Sequence, residues 1–141
     1  LGYFTADDAT QARMSGNWFL TGDQAVMNEC GELFYMGRND DMMNAGGFRV
    51  SPVEVENVLS HIAGIDAVAV TEIDVKDDTS VIAAFYTGPA ALDDQALREY
   101  ASRNLARYKH PRMFLHVPEL PLGANGKILR RELLAQFKRQ Q

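Results

Sequence analysis

The spacing of hydrophobic residues is most regular from about Arg38 onward. In "FRVSPVEVENVLSHI" apolar side chains recur three and four positions apart, as on one buried face of a helix: Val55, Val58, Leu59 and Ile62. Ser51 is suited to be the N-cap, Pro52 fits the first helical position, and Glu54 completes a capping box. The pattern therefore predicts a helix that begins just after Ser51.

Further apolar runs predict the remaining elements of this region. "DAVAVTEI" and "SVIAAFYTG" are typical of two strands joined by the polar turn "DVKDDT", and "RMFLHV" predicts a third strand. Two amphipathic stretches, "LDDQALREYASRNL" and "KILRRELLAQFKRQ", predict helices. Their apolar faces are Leu97, Tyr100, Ala101 and Leu105 in the first helix, and Leu129, Leu133, Leu134 and Phe137 in the second.

The order helix, strand, strand, helix, strand, helix, with hairpin-length connections, predicts an α+β fold. We expect a mainly antiparallel three-stranded sheet flanked by helices and preceded by a short β-hairpin. Residues 1–36 differ, because "GNWFLTGD" and "GELFYMG" are short strand-like runs bounded by turn residues. Since their aromatic side chains have few neighbours to pack against, we interpret this segment as part of something larger: Trp18, Phe19, Phe34 and Tyr35.

Composition indicates a globular protein. The 141 residues are 46% apolar and 23% charged, which is enough to form a packed core. The apolar runs are far shorter than a membrane span, and the first residues lack the pattern of a signal peptide. Cys30 is the single cysteine, so no internal disulfide can form, which suits a reducing compartment. We therefore expect a cytoplasmic protein without a membrane span.

Charge is distributed unevenly along the chain. Residues 1–97 hold 16 acidic and 4 basic residues, whereas residues 98–141 hold 10 basic and 3 acidic residues. A basic tail favours an anionic partner, although charged faces that are merely solvated would give the same composition. The tail carries no nucleic-acid-binding module signature and no interleaved exposed aromatics, so we do not expect nucleic acid to be that partner.

Two stretches offer polar groups for a ligand. In "TGD", Asp23 directly follows a glycine, and an exposed carboxylate there can accept two hydroxyl hydrogen bonds, as from a ribose diol. An ordinary turn aspartate is the alternative. In "GRNDDMMNAGGFRVSP", Arg38 and Arg49 flank two aspartates and a Gly-Gly pair that would permit close approach of a ligand. A β-hairpin with Gly46-Gly47 near its tip is the structural alternative.

Lys127 stands in "GANGKILRR", a glycine-bearing loop before the last predicted helix. The spacing to Gly123 is too short for a Walker phosphate loop, and no Ser or Thr follows. What remains is a mobile ammonium group that can reach a phosphate or a developing negative charge, or else a solvated loop lysine. The three histidines show no metal-ligand spacing: His61, His110 and His116.

Three of these stretches, in this order, resemble one family. "NWFLTGD", "GRNDDMMNAGGFRVSPVEVENVL" and "LPLGANGKILRREL" are similar to the closing motifs of the adenylate-forming (AMP-binding) superfamily. That superfamily includes acyl- and aryl-CoA ligases, luciferases and peptide-synthetase adenylation domains. The resemblance runs from Gly2 to about Phe137, and "SPVEVE" after "GGFR" is similar to the CoA-ligase branch.

The resemblance implies a ligase of fatty or other carboxylic acids that uses ATP to form an acyl-adenylate and then a CoA thioester. ATP or AMP and CoA are the implied cofactors, and Mg²⁺ is expected with ATP although no residue identified here binds it. It also implies that residues 1–37 are the trailing edge of a large N-terminal domain and that residues 38–141 are a mobile C-terminal domain. By itself this chain is expected to be inactive.

Two alternatives stay open at this point. An adenylating enzyme of the same class would transfer the acyl group to the thiol of an acyl-carrier protein. A free-standing, non-catalytic interaction module is the alternative from another class.

Residue roles follow from the same resemblance. Asp23 and Arg38 match the residues that contact the ATP ribose, and Tyr35 would line the adenosine site. Asp40 matches the hinge about which the C-terminal domain turns. Lys127 matches the lysine that bridges the substrate carboxylate and the α-phosphate during adenylation.

The resemblance also implies a role for the glycine hairpin in the second half-reaction. Gly47 matches the glycine beside the pantetheine tunnel in the thioester-forming state, and Arg49 lies on the same hairpin. The sequence departs from the family pattern at Asn44, where many CoA ligases carry lysine, and at Asn17, which replaces a common glycine.

Overall fold

The computed structural model describes Tyr3, residues 6–76 and residues 79–139. The chain divides into two compact units, Leu1–Asp40 and Asp41–Gln141. The centre of the predicted polar turn, residues 77–78, and Gln140 at the end of the last predicted helix lie outside the described residues.

The first unit consists of one short helix and two small antiparallel pairs of strands. Helix α1 is Asp7–Gln11, and strands β1, β2, β3 and β4 are Met14–Ser15, Trp18–Phe19, Asp23–Met27 and Leu33–Arg38. Strand β1 pairs with β2, and β3 pairs with β4. The Trp18 side chain is 79% exposed, and Phe34 and Tyr35 are more than half exposed. Within this unit, as predicted, these aromatic residues find little to pack against.

A short turn spans the boundary between the two units, and the second unit continues with a tight hairpin. A 3-10 turn, Asn39–Asp41, leads to strands β5 (Met43–Ala45) and β6 (Phe48–Val50), which pair antiparallel. The two residues between them, Gly46 and Gly47, have φ values of 57° and 85°. Two consecutive left-handed residues make the tight two-residue hairpin turn that glycine favours. The predicted Gly-Gly hairpin is confirmed.

Helix α2, Pro52–Leu59, begins as its sequence predicts. The Ser51 hydroxyl accepts a hydrogen bond from the Glu54 backbone N–H at 3.2 Å, and Pro52 occupies the first turn. The Glu54 carboxylate pairs with the Lys109 ammonium. Burial would lower the pKa of Lys109, but the bond to Glu54 outweighs it and the pKa is raised.

The main sheet has three strands in the order β7, β8, β9. Strand β7 is Ala67–Lys76, β8 is Thr79–Thr87 and β9 is Met113–His116, with helix α3, Asp94–Asn104, between the last two. Strands β7 and β8 are antiparallel, but β8 and β9 are parallel. A parallel pair needs a long crossover, which α3 supplies. The α+β fold is confirmed, and the predicted helix between the second and third strands is present, but it returns the chain so that β8 and β9 pair in parallel.

Both faces of this sheet are buried. One face packs against α2, α3 and the glycine hairpin through Val68, Val70, Ile82, Ala84 and Tyr86. The opposite face packs against the C-terminal helix through Ala69, Ile73, Ala83 and Phe85. Because successive residues of a strand point to opposite faces, a sheet covered on both sides has continuous apolar strands.

The last helix, α4, is Arg130–Arg139 and begins three residues later than predicted. Before it, Leu122 and Ile128 form an isolated bridge, and Gly126 adopts a φ of 74°. This left-handed residue and the bridge hold the chain in a turn through Lys127, so the helix cannot start there. Leu133 is buried in α4, and Phe137 packs edge-to-face with Phe85 at 5.7 Å between ring centroids.

Replacing Leu97 by alanine should destabilise the chain, because this side chain is 2% exposed in the core beneath α3. We expect a loss of about 2–5 kcal/mol in the free energy of unfolding, measured by urea denaturation. Leu122→Ala is the matched control, since Leu122 is 58% exposed, and should change the free energy by less than about 0.5 kcal/mol. Equal losses in the two variants would contradict this account of the core.

Candidate functional site

Asp23 and Arg38 lie opposite each other in the first unit. Asp23 opens β3, Arg38 closes β4, and the strand register pairs them directly. The Arg38 guanidinium lies between two carboxylates, with Nη1 3.4 Å from Asp23 Oδ1 and Nε 3.4 Å from Asp40 Oδ1. Its Nη1 also donates to the Thr21 carbonyl at 2.8 Å. The Asp23 side chain remains 41% exposed, so its oxygens are open to hydroxyl donors.

A second arginine joins this cluster. Arg13 donates from Nη1 to the same Thr21 carbonyl at 2.9 Å. A Cβ on Gly22, whose φ is 81°, would lie 2.5 Å from Arg13 Nη1 and 3.0 Å from Arg38 Nη2. The turn before Asp23 is therefore enclosed by two guanidinium groups. Sequence reasoning missed Arg13, because nothing in "QARMSG" signals a contact with a carbonyl eight residues ahead.

The opposite charges in this cluster shift the pKa values of Asp40 and Arg38. The pKa of Asp40 lies below its ordinary value. The largest cause is a hydrogen bond from its own backbone N–H, followed by the positive charge of Arg38 and, last, that of Arg13. For Arg38, desolvation acts to lower the pKa, but the negative charges of Asp40 and Asp23 outweigh it and the pKa is raised. Both groups are thus held in their charged forms.

Tyr35 lies in β4, three residues before Arg38, opposite Ala25. Its ring is 56% exposed. An exposed aromatic ring on the strand that carries Arg38 can offer a stacking surface to a base.

The glycine hairpin is attached to the main sheet by a polar contact. The Asn44 backbone N–H donates to Glu72 Oε2 at 2.7 Å, and the other oxygen of this carboxylate accepts from Ser80. Strand pairing places Arg49 opposite Asn44. A Cβ at Gly46 or Gly47 would meet no atom within 4 Å, so the tip of the hairpin is open.

A cavity of about 250 Å³ lies beside this hairpin. Its lining includes Phe48, Arg107, Tyr108, His110 and Arg112. The rings of Phe48 and Tyr108 stack with centroids 4.6 Å apart. Among the described residues, the ion pairs do not include Arg107 or Arg112. The cavity therefore combines an aromatic wall with cationic groups.

Lys127 lies on an exposed, ordered turn. The Gly123 N–H donates to the Lys127 carbonyl at 2.8 Å, and the Gly126 N–H donates to the Gly123 carbonyl at 2.9 Å. Asn125 Oδ1 accepts from the Lys127 N–H at 3.3 Å. In the described part of the chain, no carboxylate lies in ion-pair distance of its ammonium group. The backbone of this turn is fixed, while the Lys127 ammonium group is available to contact a ligand.

Arg130, which sequence reasoning also missed, forms the most buried ion pair among those described. Its Nη2 lies 2.6 Å and 2.8 Å from the two oxygens of Glu56, and its Nε donates to the Val70 carbonyl at 3.2 Å. Its Nη1 lies 3.5 Å from Asp41 Oδ2. The side chains of Arg130 and Glu56 are only 16% and 13% exposed. The two adjacent arginines in "KILRREL" gave no indication of which one would be buried.

The described residues contain no group of three or more His, Cys, Asp or Glu side chains that could hold a metal ion. The ring nitrogens of the three histidines contact backbone carbonyls: Asn57 for His61, Leu105 for His110 and Gly88 for His116. Over the residues described, no helix is both long enough and apolar enough to cross a membrane.

Comparison with known proteins places these residues in a family context. The model of the AMP-binding enzyme C-terminal domain family matches residues 54–127. The chain is 39% identical over 134 residues to the 2-succinylbenzoate–CoA ligase of Listeria monocytogenes, covering 94% of this chain and 28% of that protein. It is 37% identical over 141 residues to the human mitochondrial acyl-coenzyme A synthetase ACSM5, covering 95% of this chain and 24% of that protein.

Solved structures of CoA ligases are also similar to this chain. The Bacillus subtilis o-succinylbenzoate CoA synthetase in complex with its acyl-adenylate intermediate matches with a TM-score of 0.87 and 30% identity, over 94% of this chain and 27% of that one. The anthranilate CoA ligase in complex with anthranoyl-AMP matches with a TM-score of 0.87 and 31% identity, over 96% of this chain and 27% of that one. The chain thus spans about a quarter of the length of the proteins it matches.

Replacing Arg38 by glutamine should raise the pKa of Asp40, because it removes the positive charge with the larger effect on that carboxyl. Arg13→Gln should raise it less. The pKa of Asp40 is lower in the folded state than in the unfolded state. The stabilisation by Arg38 is therefore fully present above the unfolded-state pKa of Asp40 and is lost as pH falls through its folded-state pKa. Carbon-detected NMR titration of the Asp40 carboxyl checks both variants, and an unchanged pKa in Arg38→Gln would contradict the assignment.

Proposed function

Since this chain belongs to the family of AMP-binding enzyme C-terminal domains, we propose that it is the C-terminal part of an ATP-dependent acyl- or aryl-CoA ligase. In the first half-reaction a substrate carboxylate oxygen attacks the α-phosphorus of ATP, which forms an acyl-adenylate and releases pyrophosphate. In the second, the sulfur of CoA loses its proton and attacks the acyl carbon, which releases AMP. A large N-terminal domain of the same enzyme would hold the acid.

The observation that carries this proposal is the placement of Gly47 and Lys127 within the second unit. The hairpin that holds Gly47 packs through Met43, Val50 and Ala45 against one face of the sheet. The segment after Lys127 packs through Ile128 and Leu133 against the opposite face. Groups attached to opposite faces can serve one reaction centre in turn if the unit that carries them rotates.

Asp40 is the proposed hinge for this rotation. The boundary between the two compact units falls directly after it, which supports the assignment. Hinges are a few residues at element ends that absorb a change in backbone angles, and Asp40 lies between β4 and β5.

Asp23, Arg38 and Tyr35 are the proposed adenosine-binding set. The partly exposed Asp23 carboxylate can accept two hydrogen bonds from the ribose hydroxyls, and Arg38 holds that carboxylate in place. Tyr35 offers its exposed ring to the base. Mg²⁺ is part of the proposal only as the usual companion of ATP phosphates.

Lys127 is the proposed catalytic residue for adenylation. Its exposed ammonium can lie between the attacking carboxylate and the α-phosphate, where negative charge develops. The ordered turn from Gly123 to Gly126 fixes its backbone, so that the side chain alone must be arranged when the site closes.

CoA is the proposed acyl acceptor. Gly47 at the open hairpin tip permits the pantetheine arm to pass close to the backbone. Arg49 on the hairpin, together with Arg107 and Arg112 in the adjacent cavity, offers positive charge to the CoA phosphates. CoA is preferred over a carrier-protein thiol because the relatives are named as CoA ligases.

The substrate acid is proposed only as a chemical class, and the cellular location only as a prediction. Relatives of this chain are named for 2-succinylbenzoate and for long-chain fatty acids, so we propose an acyl or aryl carboxylic acid. A cytoplasmic location stays a prediction, based on the single cysteine, and one relative is named as mitochondrial.

Lys127→Ala in the full-length enzyme should lower acid-dependent pyrophosphate exchange by about 10²–10³-fold, because one positioned cation at developing charge has that effect. Thioester formation from supplied acyl-adenylate should be retained. Lys138→Ala removes another exposed lysine, in α4, and should leave both half-reactions unchanged. Equal loss of both half-reactions in Lys127→Ala would refute the assigned role.

Gly47→Ala should have the reverse effect, slowing thioester formation while sparing adenylation. Gly31→Ala is a matched control, since Gly31 and Gly47 have φ values of 82° and 85° and neither has an atom within 4 Å of an added Cβ. Backbone strain of about 1–2 kcal/mol is therefore common to both variants. If both slow thioester formation alike, strain and not the tunnel explains the effect.

A further inference from the structure

Arg130 connects four parts of the second unit through one side chain. It is the first residue of α4, Glu56 lies in α2 and Val70 lies in β7. Asp41 is the last residue of the 3-10 turn and directly follows the proposed hinge, Asp40. Its guanidinium contacts all three partners at 2.6–3.5 Å. Such a multidentate site uses the fixed fork geometry of arginine, which a lysine cannot reproduce.

The pair formed by Arg130 and Glu56 also bonds to both backbone groups of Val70 at the edge of the sheet. Strand β7 is an edge strand, because the sheet order is β7, β8, β9. The Val70 N–H donates to Glu56 Oε1 at 2.7 Å, and the Val70 carbonyl accepts from Arg130 Nε. The start of α4 is thereby fixed laterally against the sheet, in addition to the packing of Leu133 and Phe137 below it.

Lys127 lies only three residues before this anchor. Between them Ile128 pairs with Leu122, and the Leu129 N–H donates to the Pro121 carbonyl at 2.8 Å. The turn that carries Lys127 is thus closed on itself, and Arg130 is the polar contact that ties its end to α2 and β7. Through Asp41, the same guanidinium reaches the residue next to the proposed hinge.

We propose that Arg130 is a positioning residue for adenylation, which holds the Lys127 turn in register with the segment that follows the hinge. The inference rests on the proposed function, because it assumes that Lys127 acts on the α-phosphate. The Gly47 hairpin is fixed separately, through Asn44 and Glu72, so its half-reaction does not depend on this anchor.

The test compares half-reactions in the full-length enzyme. Arg130→Lys keeps the charge but loses the fork, and should lower pyrophosphate exchange by about 10²-fold, since a misplacement of about 1 Å has such an effect. Thioester formation from supplied adenylate should change less than about twofold. Arg131→Lys alters an exposed neighbour on the same helix and should behave as the wild type. Equal loss of both half-reactions, or no loss in Arg130→Lys, would overturn the proposal.

Asp41→Asn is a second variant, which removes the negative charge from one partner of Arg130 and leaves the buried pair with Glu56 intact. It should lower pyrophosphate exchange in the same selective manner but by a smaller factor. A selective loss here supports the link between the hinge segment and Lys127, and an unchanged rate contradicts it.

A readout without catalysis separates this proposal from the proposed function. In the 141-residue chain, trypsin should cleave after Lys127 faster in Arg130→Lys than in Arg131→Lys, because the turn has lost its anchor. Unchanged cleavage would contradict the positioning role. If the full-length wild type shows no acid-dependent pyrophosphate exchange while cleavage responds as expected, the proposed function fails and the anchor stands.

Discussion

The constraint on which the second unit depends is that its three-stranded sheet is covered on both faces. Strand β8 has nearly continuous burial from Ile82 to Tyr86, and alternate side chains enter two different cores. One core fixes α2, α3 and the glycine hairpin, and the other fixes α4. The two groups assigned to successive half-reactions are therefore attached to a shared sheet but cannot face the same direction from it.

Charge pairing within the second unit changes the interpretation of the basic tail. Much of its positive charge is matched by nearby carboxylates: Arg98 with Asp94, Arg103 with Glu99, Lys109 with Glu54, Arg130 with Glu56 and Asp41, and Lys138 with Asp74. Among the cations of residues 98–138, Arg107, Arg112, Lys127 and Arg131 stand outside these ion pairs. A simple difference between acidic and basic halves would have overestimated the charge that an anionic ligand meets.

The sequence predicted most of the fold because its signals are local. The start of α2 follows from Ser51 and Pro52, and the hairpin tip follows from Gly46 and Gly47. The parallel pairing of β8 and β9 was not predictable from periodicity, since it depends on where α3 returns the chain. The late start of α4 reflects the left-handed Gly126, whose conformation the helical periodicity of "KILRREL" concealed.

For the candidate site, residues within recognisable motifs were predicted, while Arg13 and Arg130 were missed. Arg13 contacts the Thr21 backbone carbonyl, eight residues ahead, and Arg130 contacts the Val70 carbonyl and the Glu56 carboxylate, both far away in sequence. Such partners have no spacing rule. Asp23 and Arg38 could be predicted because they stand in the motifs "NWFLTGD" and "GRNDDMMNAGGFRVSPVEVENVL". Their direct pairing across β3 and β4 depends on strand register, which the motifs do not specify.

The position of β7 at the edge of the sheet has a consequence for the behaviour of the protein in solution. An open strand edge is a template on which a strand from another molecule can add, and natural proteins block such edges. Here the block at Val70 is made by two side chains, Glu56 and Arg130, that lie 74 residues apart. Substitutions in this pair therefore expose a site for edge-to-edge aggregation, so that poor yield in such variants would reflect self-association of a folded chain as well as loss of stability.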